Sequence, residues 1–138
     1  MQRPAIAIIT IDTSALLAVL LGEPSRPGIL SATENTRLAS APSLPWEVGN
    51  ALVAGVRRRR LTPAQAQGVW SSYQRVPIRL VQIDVARALA LATSLRVYAY
   101  DAYVLETARL ERTALLTLDR GMAQAAQQMG LPLVEVLP

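Results

Sequence analysis

Histidine, cysteine, lysine and phenylalanine are all missing from this 138-residue chain. Without His or Cys there is no thiol nucleophile, no Ser-His-Asp triad and no zinc site built from the usual nitrogen and sulfur ligands. Without Lys there is neither a phosphate loop of the Walker type nor a Schiff base. Long apolar runs are lacking too: none approaches the ~20 residues that a membrane span needs. No basic head followed by an apolar segment and a small-residue cleavage site opens the chain. A cytoplasmic protein is expected, and the lack of cysteine is compatible with a reducing compartment. The chemistry left to the side chains is that of carboxylates, hydroxyls, Tyr and Arg. A hard cation held by oxygen ligands fits that inventory best.

What is present points to one globular unit spanning 1–138, since 51% of the residues are hydrophobic and the length is that of an ordinary domain. All 14 basic residues are Arg, set against 10 acids, for a formal charge of +4. That balance favours a polyanion such as nucleic acid. The exclusive use of Arg equally fits a coding bias, and composition alone leaves both readings open.

The run Ala5–Ile11 is apolar on both alternating faces, as a strand covered on both sides would be. Asp12-Thr13-Ser14 supplies capping residues for a helix over Ala15–Leu21, closed by Gly22 and Pro24. A short helix over Ser25–Glu34 and a strand over Arg37–Ser40 follow. Pro42 and Pro45 introduce a long helix that ends among Arg57, Arg58, Arg59 and Arg60, and Thr62-Pro63 starts another running to about Arg75. A strand over Ile78–Ile83 and a helix capped by Asp84 come next. A helix near Asp101, a strand over Ala114–Leu118, a helix over Arg120–Met129 and a strand over Leu133–Val136 complete the chain. Strands alternating with helices predict a three-layer α/β domain with a mostly parallel sheet.

Ligands of open α/β sheets bind beyond the carboxyl ends of the strands, and Asp12 and Asp119 stand at such ends. Helix capping selects Asp at the same turns, so each has a purely structural reading. Asp101 precedes Val104, Leu105 and Ala108 at helical offsets, which puts its carboxylate on the core-facing side; capping is the alternative. Glu47 lies in the first turn of the long helix, where the helix dipole alone would favour it by ~0.3–1 kcal/mol. Val48, Leu52 and Val56 form the core face of that helix, while Asn50, Ala51, Ala54 and Arg58 follow Glu47. Singly each acid is more often structural; their joint pattern shifts the balance.

Ile11-Asp12-Thr13-Ser14-Ala15-Leu16, Pro45-Trp46-Glu47-Val48-Gly49-Asn50-Ala51-Leu52, Tyr100-Asp101-Ala102 and Leu116-Thr117-Leu118-Asp119-Arg120, in that order, closely resemble the motifs of PIN-domain ribonucleases of the VapC toxin family. The resemblance extends over essentially the whole chain, including Gly130-Leu131-Pro132 before the last strand. It implies a five-stranded sheet in the order 3-2-1-4-5, which would gather acids more than a hundred residues apart. It also implies that Asp12 and Asp101 are the main ligands of Mg²⁺ or Mn²⁺, that Glu47 and Asp119 complete the catalytic cluster, and that Thr13, Ser14 and Thr117 support them. The implied activity is endoribonuclease cleavage by metal-activated water, leaving a 5′-phosphate and a 3′-hydroxyl. Clustered carboxylates repel, and a divalent cation supplies the missing positive charge. Family members commonly form homodimers and are silenced by a VapB-type antitoxin. Many relatives place another acid shortly after the last motif Asp; here Gly121-Met122-Ala123 follow Arg120.

Four consecutive arginines on a helix point around most of its circumference, so at most two of Arg57–Arg60 face one ligand. Arg57, Arg58 and Arg120 are the candidates for RNA phosphates, the remainder complementing the helix C-terminus. Tyr98, Tyr100 and Tyr103 sit near Asp101, where stacking on bases competes with packing; Trp46 and Trp70 read as packing residues. A phosphoacceptor receiver domain would need an acidic pair at the first strand and a Lys near the last, and this chain has neither. A non-catalytic PIN-like domain that binds RNA or protein is the remaining alternative.

Overall fold

A computed structural model of the protein describes residues 6–138; Ala5, at the start of the first apolar run, lies outside the described residues. Strand β1 (Ile8–Ile11) leads into α1 (Thr13–Leu20), followed by α2 (Arg26–Thr33) and β2 (Arg37–Ser40). Helices α3 (Leu44–Arg57) and α4 (Pro63–Gln74) precede β3 (Ile78–Leu80). Helices α5 (Val85–Leu95) and α6 (Ala99–Glu111), strand β4 (Ala114–Leu116) and α7 (Arg120–Gln128) complete the order. All strand pairs are parallel and the sheet order is β3-β2-β1-β4.

Alternating side chains feed two cores, one on each face of the sheet. Leu116 joins Ile11, Leu16, Leu44 and Val48 on one side, while its neighbour Leu115 joins Val104, Leu105, Met122 and Ala125 on the other. A strand with helices on both faces must be apolar throughout, and β1 is buried from Ile9 to Ile11. Its one polar residue, Thr10, is matched inside by Thr113, hydroxyl to hydroxyl at 2.6 Å, so neither is left unpaired.

The fifth strand of the expected order 3-2-1-4-5 contracts to a single parallel bridge, Leu115 with Leu133. Leu115 N donates to Pro132 O and its carbonyl accepts from Val134 N, both at 2.9 Å. A parallel strand bonds each neighbour through alternate residues, so the three-residue β4 has only its central residue facing outward. The other two face β1. Strand β4 itself stops at Leu116 rather than Leu118, because the next amides turn to side chains: Leu118 N donates to Ser14 Oγ and Asp119 N to Thr117 Oγ1, both at 3.0 Å. Strand β3 likewise ends at Leu80 rather than Ile83, with Val81 N making one last bond to Ser40 O.

Helix starts follow the sequence signals. Asp12, Asp84 and Asp119 cap α1, α5 and α7, and Thr62 with Gln65 forms a full capping box on α4. Among the described residues no helix is long and apolar enough to cross a membrane.

Candidate active site

The parallel register sets the site. Ile11 pairs with Leu116, and each strand ends there, so Asp12 and Thr117 emerge side by side at the carboxyl edge of the sheet. Asp12 N donates to Leu116 O at 3.1 Å, and Asp12 is 3% exposed. Its Oδ1 accepts from Ser14 Oγ at 2.7 Å and from Ala15 N at 3.0 Å, and its Oδ2 accepts from the Thr117 hydroxyl. Three donors therefore fix one carboxylate in a single orientation. Asp119, two residues beyond Thr117, is exposed and caps α7 through Met122 N at 2.9 Å.

Glu47 is carried by α3, which follows the neighbouring strand β2. Ser43 immediately precedes α3; its side chain does not cap the helix amides and donates instead to Glu47 Oε2 at 2.8 Å. Asp101 lies in the first turn of α6, behind an N-cap at Tyr98 that offers no side-chain bond, so the capping alternative for Asp101 does not hold. Its half-buried position follows from Val104, Leu105 and Ala108, which are all buried and turn that face of α6 inward.

The acids act on one another. Burial raises the proton affinity of Asp12 first of all; hydrogen bonds from Thr117, Ala15 and Ser14 oppose this, and the charge of Asp119 adds to it. Glu47 is also raised, chiefly by burial, with Ser43 and Thr13 holding it down and Asp101 and Asp12 pushing it up. Asp101 is raised by burial and then by Asp119 and Asp12. Asp12 and Asp101 thus each interact with all three other members. No basic side chain enters among the charges felt by these three. The two ion pairs among the described residues, Arg79 with Glu111 and Arg109 with Glu106, lie elsewhere. Asp84 makes the same kind of cap as Asp119, yet takes no part in this set, so capping does not account for the cluster.

Does a divalent cation fit? The donor set is entirely oxygen, which suits Mg²⁺ and Mn²⁺. The negative charge is uncompensated, and Thr13 Oγ1 is buried without a hydrogen-bond partner, although near enough to lower the proton affinity of Glu47. As they lie, no three carboxylates among the described residues close around a single point. The site fits a hard cation in kind and in charge, with Asp12 fixed in advance.

Thr13, Glu47, Ala51 and Asn50 line a hollow of about 560 Å³ together with Trp46 and Tyr100. Trp46 is 72% exposed, so the packing role expected for it fails, whereas Trp70 stacks at 5.1 Å on Tyr73 against the core. The arginines divide. Arg58 caps α3 and lines a smaller cavity that shares Ala51 with the acidic hollow. Arg57 faces the apolar groove between α3 and α4, and Arg120 is exposed beside Asp119. Ser43 escaped sequence reasoning, which placed Asn50 after Glu47 without a role and read Trp46 as packing. Ser43 was within reach of it, since Ser and Glu four apart share a helix face.

The sequence profile of one family, the PIN domain, matches residues 9–128. No curated protein sequence matches the chain significantly. Among solved structures, PAE2754 from Pyrobaculum aerophilum is similar with a TM-score of 0.68 at 21% identity, over 86% of this chain and 79% of that one. VapBC2 from Rickettsia felis, bound to a DNA fragment from its promoter, is similar with a TM-score of 0.63 at 14% identity, over 91% and 96%. A toxin–antitoxin complex from Klebsiella pneumoniae is similar with a TM-score of 0.56 at 22% identity, over 80% and 86%.

Proposed function

Since the chain belongs to the PIN-domain family, we propose that it is a VapC-type endoribonuclease toxin of the cytoplasm that hydrolyses RNA with Mg²⁺ or Mn²⁺ and is neutralised by a VapB-type antitoxin. The observation that carries this reading is the mutual action of Asp12, Glu47, Asp101 and Asp119 at one sheet edge, with no basic side chain to offset the three whose proton affinity is raised. Two of the similar folds come from a VapBC pair and from a toxin–antitoxin complex. They favour the toxin assignment over a housekeeping nuclease.

Asp12 and Asp101 would hold the ion, with Glu47 and Asp119 completing its surroundings directly or through water. When bound, the cation supplies a Lewis acid that lowers the pKa of an attacking water and offsets charge developing on the phosphate. The protein's own part is orientation. Ser14 and Thr117 keep Asp12 from rotating, and Ser43 engages Glu47 Oε2. Thr117 is itself positioned by Asp119 N. Arg120, Arg58 and Arg57 would supply contacts to RNA phosphates, which position rather than specify.

The rival is a PIN-like domain that binds RNA or protein without cutting it. Incubating the purified protein with labelled RNA and Mg²⁺ separates the two. Cleavage should stop in a chelator and fall by about 100-fold or more in Asp12→Asn and Asp101→Asn. Cleavage indifferent to both substitutions and to the chelator would remove the mechanism.

A further inference from the structure

Trp46 and Tyr100 are large aromatic side chains that belong to neither core. Trp46 is 72% exposed and Tyr100 is 54% exposed, yet both line the hollow that contains Glu47. Single exposed apolar residues are ordinary; two aromatics lining one acidic hollow are a different arrangement. Trp46 directly precedes Glu47 on α3, so the two side chains leave adjacent positions of one helix. Tyr100 meets Tyr103 edge to face, with ring centroids 5.8 Å apart and planes at 86°, and Tyr103 packs against the second core. Asn50, one turn beyond Trp46, adds an exposed amide able to donate and accept.

From this placement we infer that Trp46 and Tyr100 form a stacking site for an unpaired nucleobase of single-stranded RNA beside the scissile phosphate, with the Asn50 amide facing the base edge. The inference rests on the ribonuclease reading above and adds which side chains would hold a base. Unpaired bases can be splayed onto aromatic faces, whereas bases in an A-form duplex cannot. The hollow is mixed in character, with Thr13, Glu47 and Asn50 among its six lining residues. That suits a flat heterocycle with polar edges. An apolar peptide segment would find a better match in the adjoining groove between α3 and α4, which shares Trp46 and Asn50 with the hollow but adds Leu52, Val53, Val56 and Trp70 and includes neither Glu47 nor Tyr100.

The test measures affinity apart from cleavage. In an Asp101→Asn background, the Kd for a labelled single-stranded oligoribonucleotide is read by anisotropy at fixed salt for Trp46→Ala, Trp46→Phe and Tyr100→Ala. A second series moves one abasic nucleotide along the strand. Trp46→Ala and Tyr100→Ala should each weaken binding roughly tenfold, and Trp46→Phe should recover most of the loss. At one position the abasic strand should lose as much, with no further loss on adding Trp46→Ala. The stacking site is overturned if Trp46→Ala binds like its parent, or if the two losses add at every position. Loss of antitoxin binding with RNA affinity intact would make the hollow a protein-docking surface and overturn it as well. If the wild type cuts RNA and Trp46→Ala leaves both Kd and KM unchanged, stacking alone fails. If the parent binds no RNA and the wild type cuts none, the ribonuclease reading falls and takes this inference with it.

Discussion

The Thr117 hydroxyl donates to Oδ2 of Asp12 across 105 residues of sequence. It joins the ends of two neighbouring strands, and Thr117 Oγ1 also accepts from Asp119 N. One side chain therefore ties two of the four acids together. Thr117→Val removes the donor and the acceptor at once and should cost about 1–3 kcal/mol of stability. It should also raise the proton affinity of Asp12 further, since that hydrogen bond lowers it. Urea denaturation and divalent-ion titration of the variant check both effects; unchanged values would show the bond to be idle.

Asp101 has no hydrogen bond to favour its charged form, and burial with Asp119 and Asp12 raises its proton affinity. A group more basic in the folded than in the unfolded state contributes stability fully present below its unfolded pKa, 3.8 for Asp, and lost as pH rises through the folded value. In chelator, Asp101→Asn should therefore melt a few degrees above the wild type at neutral pH. That advantage should disappear in acid, where Asp101 is protonated. Melting curves of the pair across this range decide the matter, and an advantage that grows towards acid would contradict the assigned cause.

Divalent ions should reverse this penalty. A ligand confined to the native state adds about 2.7 kcal/mol at a concentration 100 times its Kd. Mg²⁺ or Mn²⁺ should thus raise the Tm of the wild type, and Asp12→Asn should lose most of the shift. Calorimetric scans with and without the ion provide the check, Ca²⁺-free buffer serving as baseline.

Remote from the site, Gly28 on α2 lies against the last residues of the chain. A Cβ there would stand 2.2 Å from Leu137 O and 2.9 Å from Val136 Cγ1. Backbone cannot swing aside as a side-chain tip can, so Gly28→Ala should destabilise by about 1–3 kcal/mol. Equilibrium denaturation should register this without any change in metal affinity.

Much of this was legible in the sequence because strand ends and helix starts carry strong local signals. Asp12 and Asp119 follow apolar runs and cap helices, so chemistry and punctuation coincide at both. The edge where they meet Glu47 depends on strand order, which periodicity does not encode and which the family motifs supplied. Tyr98 is a poor capping residue, so nothing marked Ala99 as the first residue of α6 and Asp101 was open to a capping role it does not have. Trp46 was misread for want of an angular argument. The buried stripe of α3 runs through Leu44, Val48 and Leu52, and a residue two positions off that stripe points away from it. The fifth strand failed because its partner is too short to pair beyond one residue.

The brevity of the outer strands has its own effect. Strand β3 closes one side of the sheet with three residues, among them Arg79, which is exposed and paired to Glu111. On the other side the Leu133 bridge occupies the one outward-facing rung of β4. Long unpaired margins recruit further chains, while short charged ones discourage it. A protein half apolar in composition thus offers almost no backbone ladder on which another copy could add a strand, which guards it against templated aggregation.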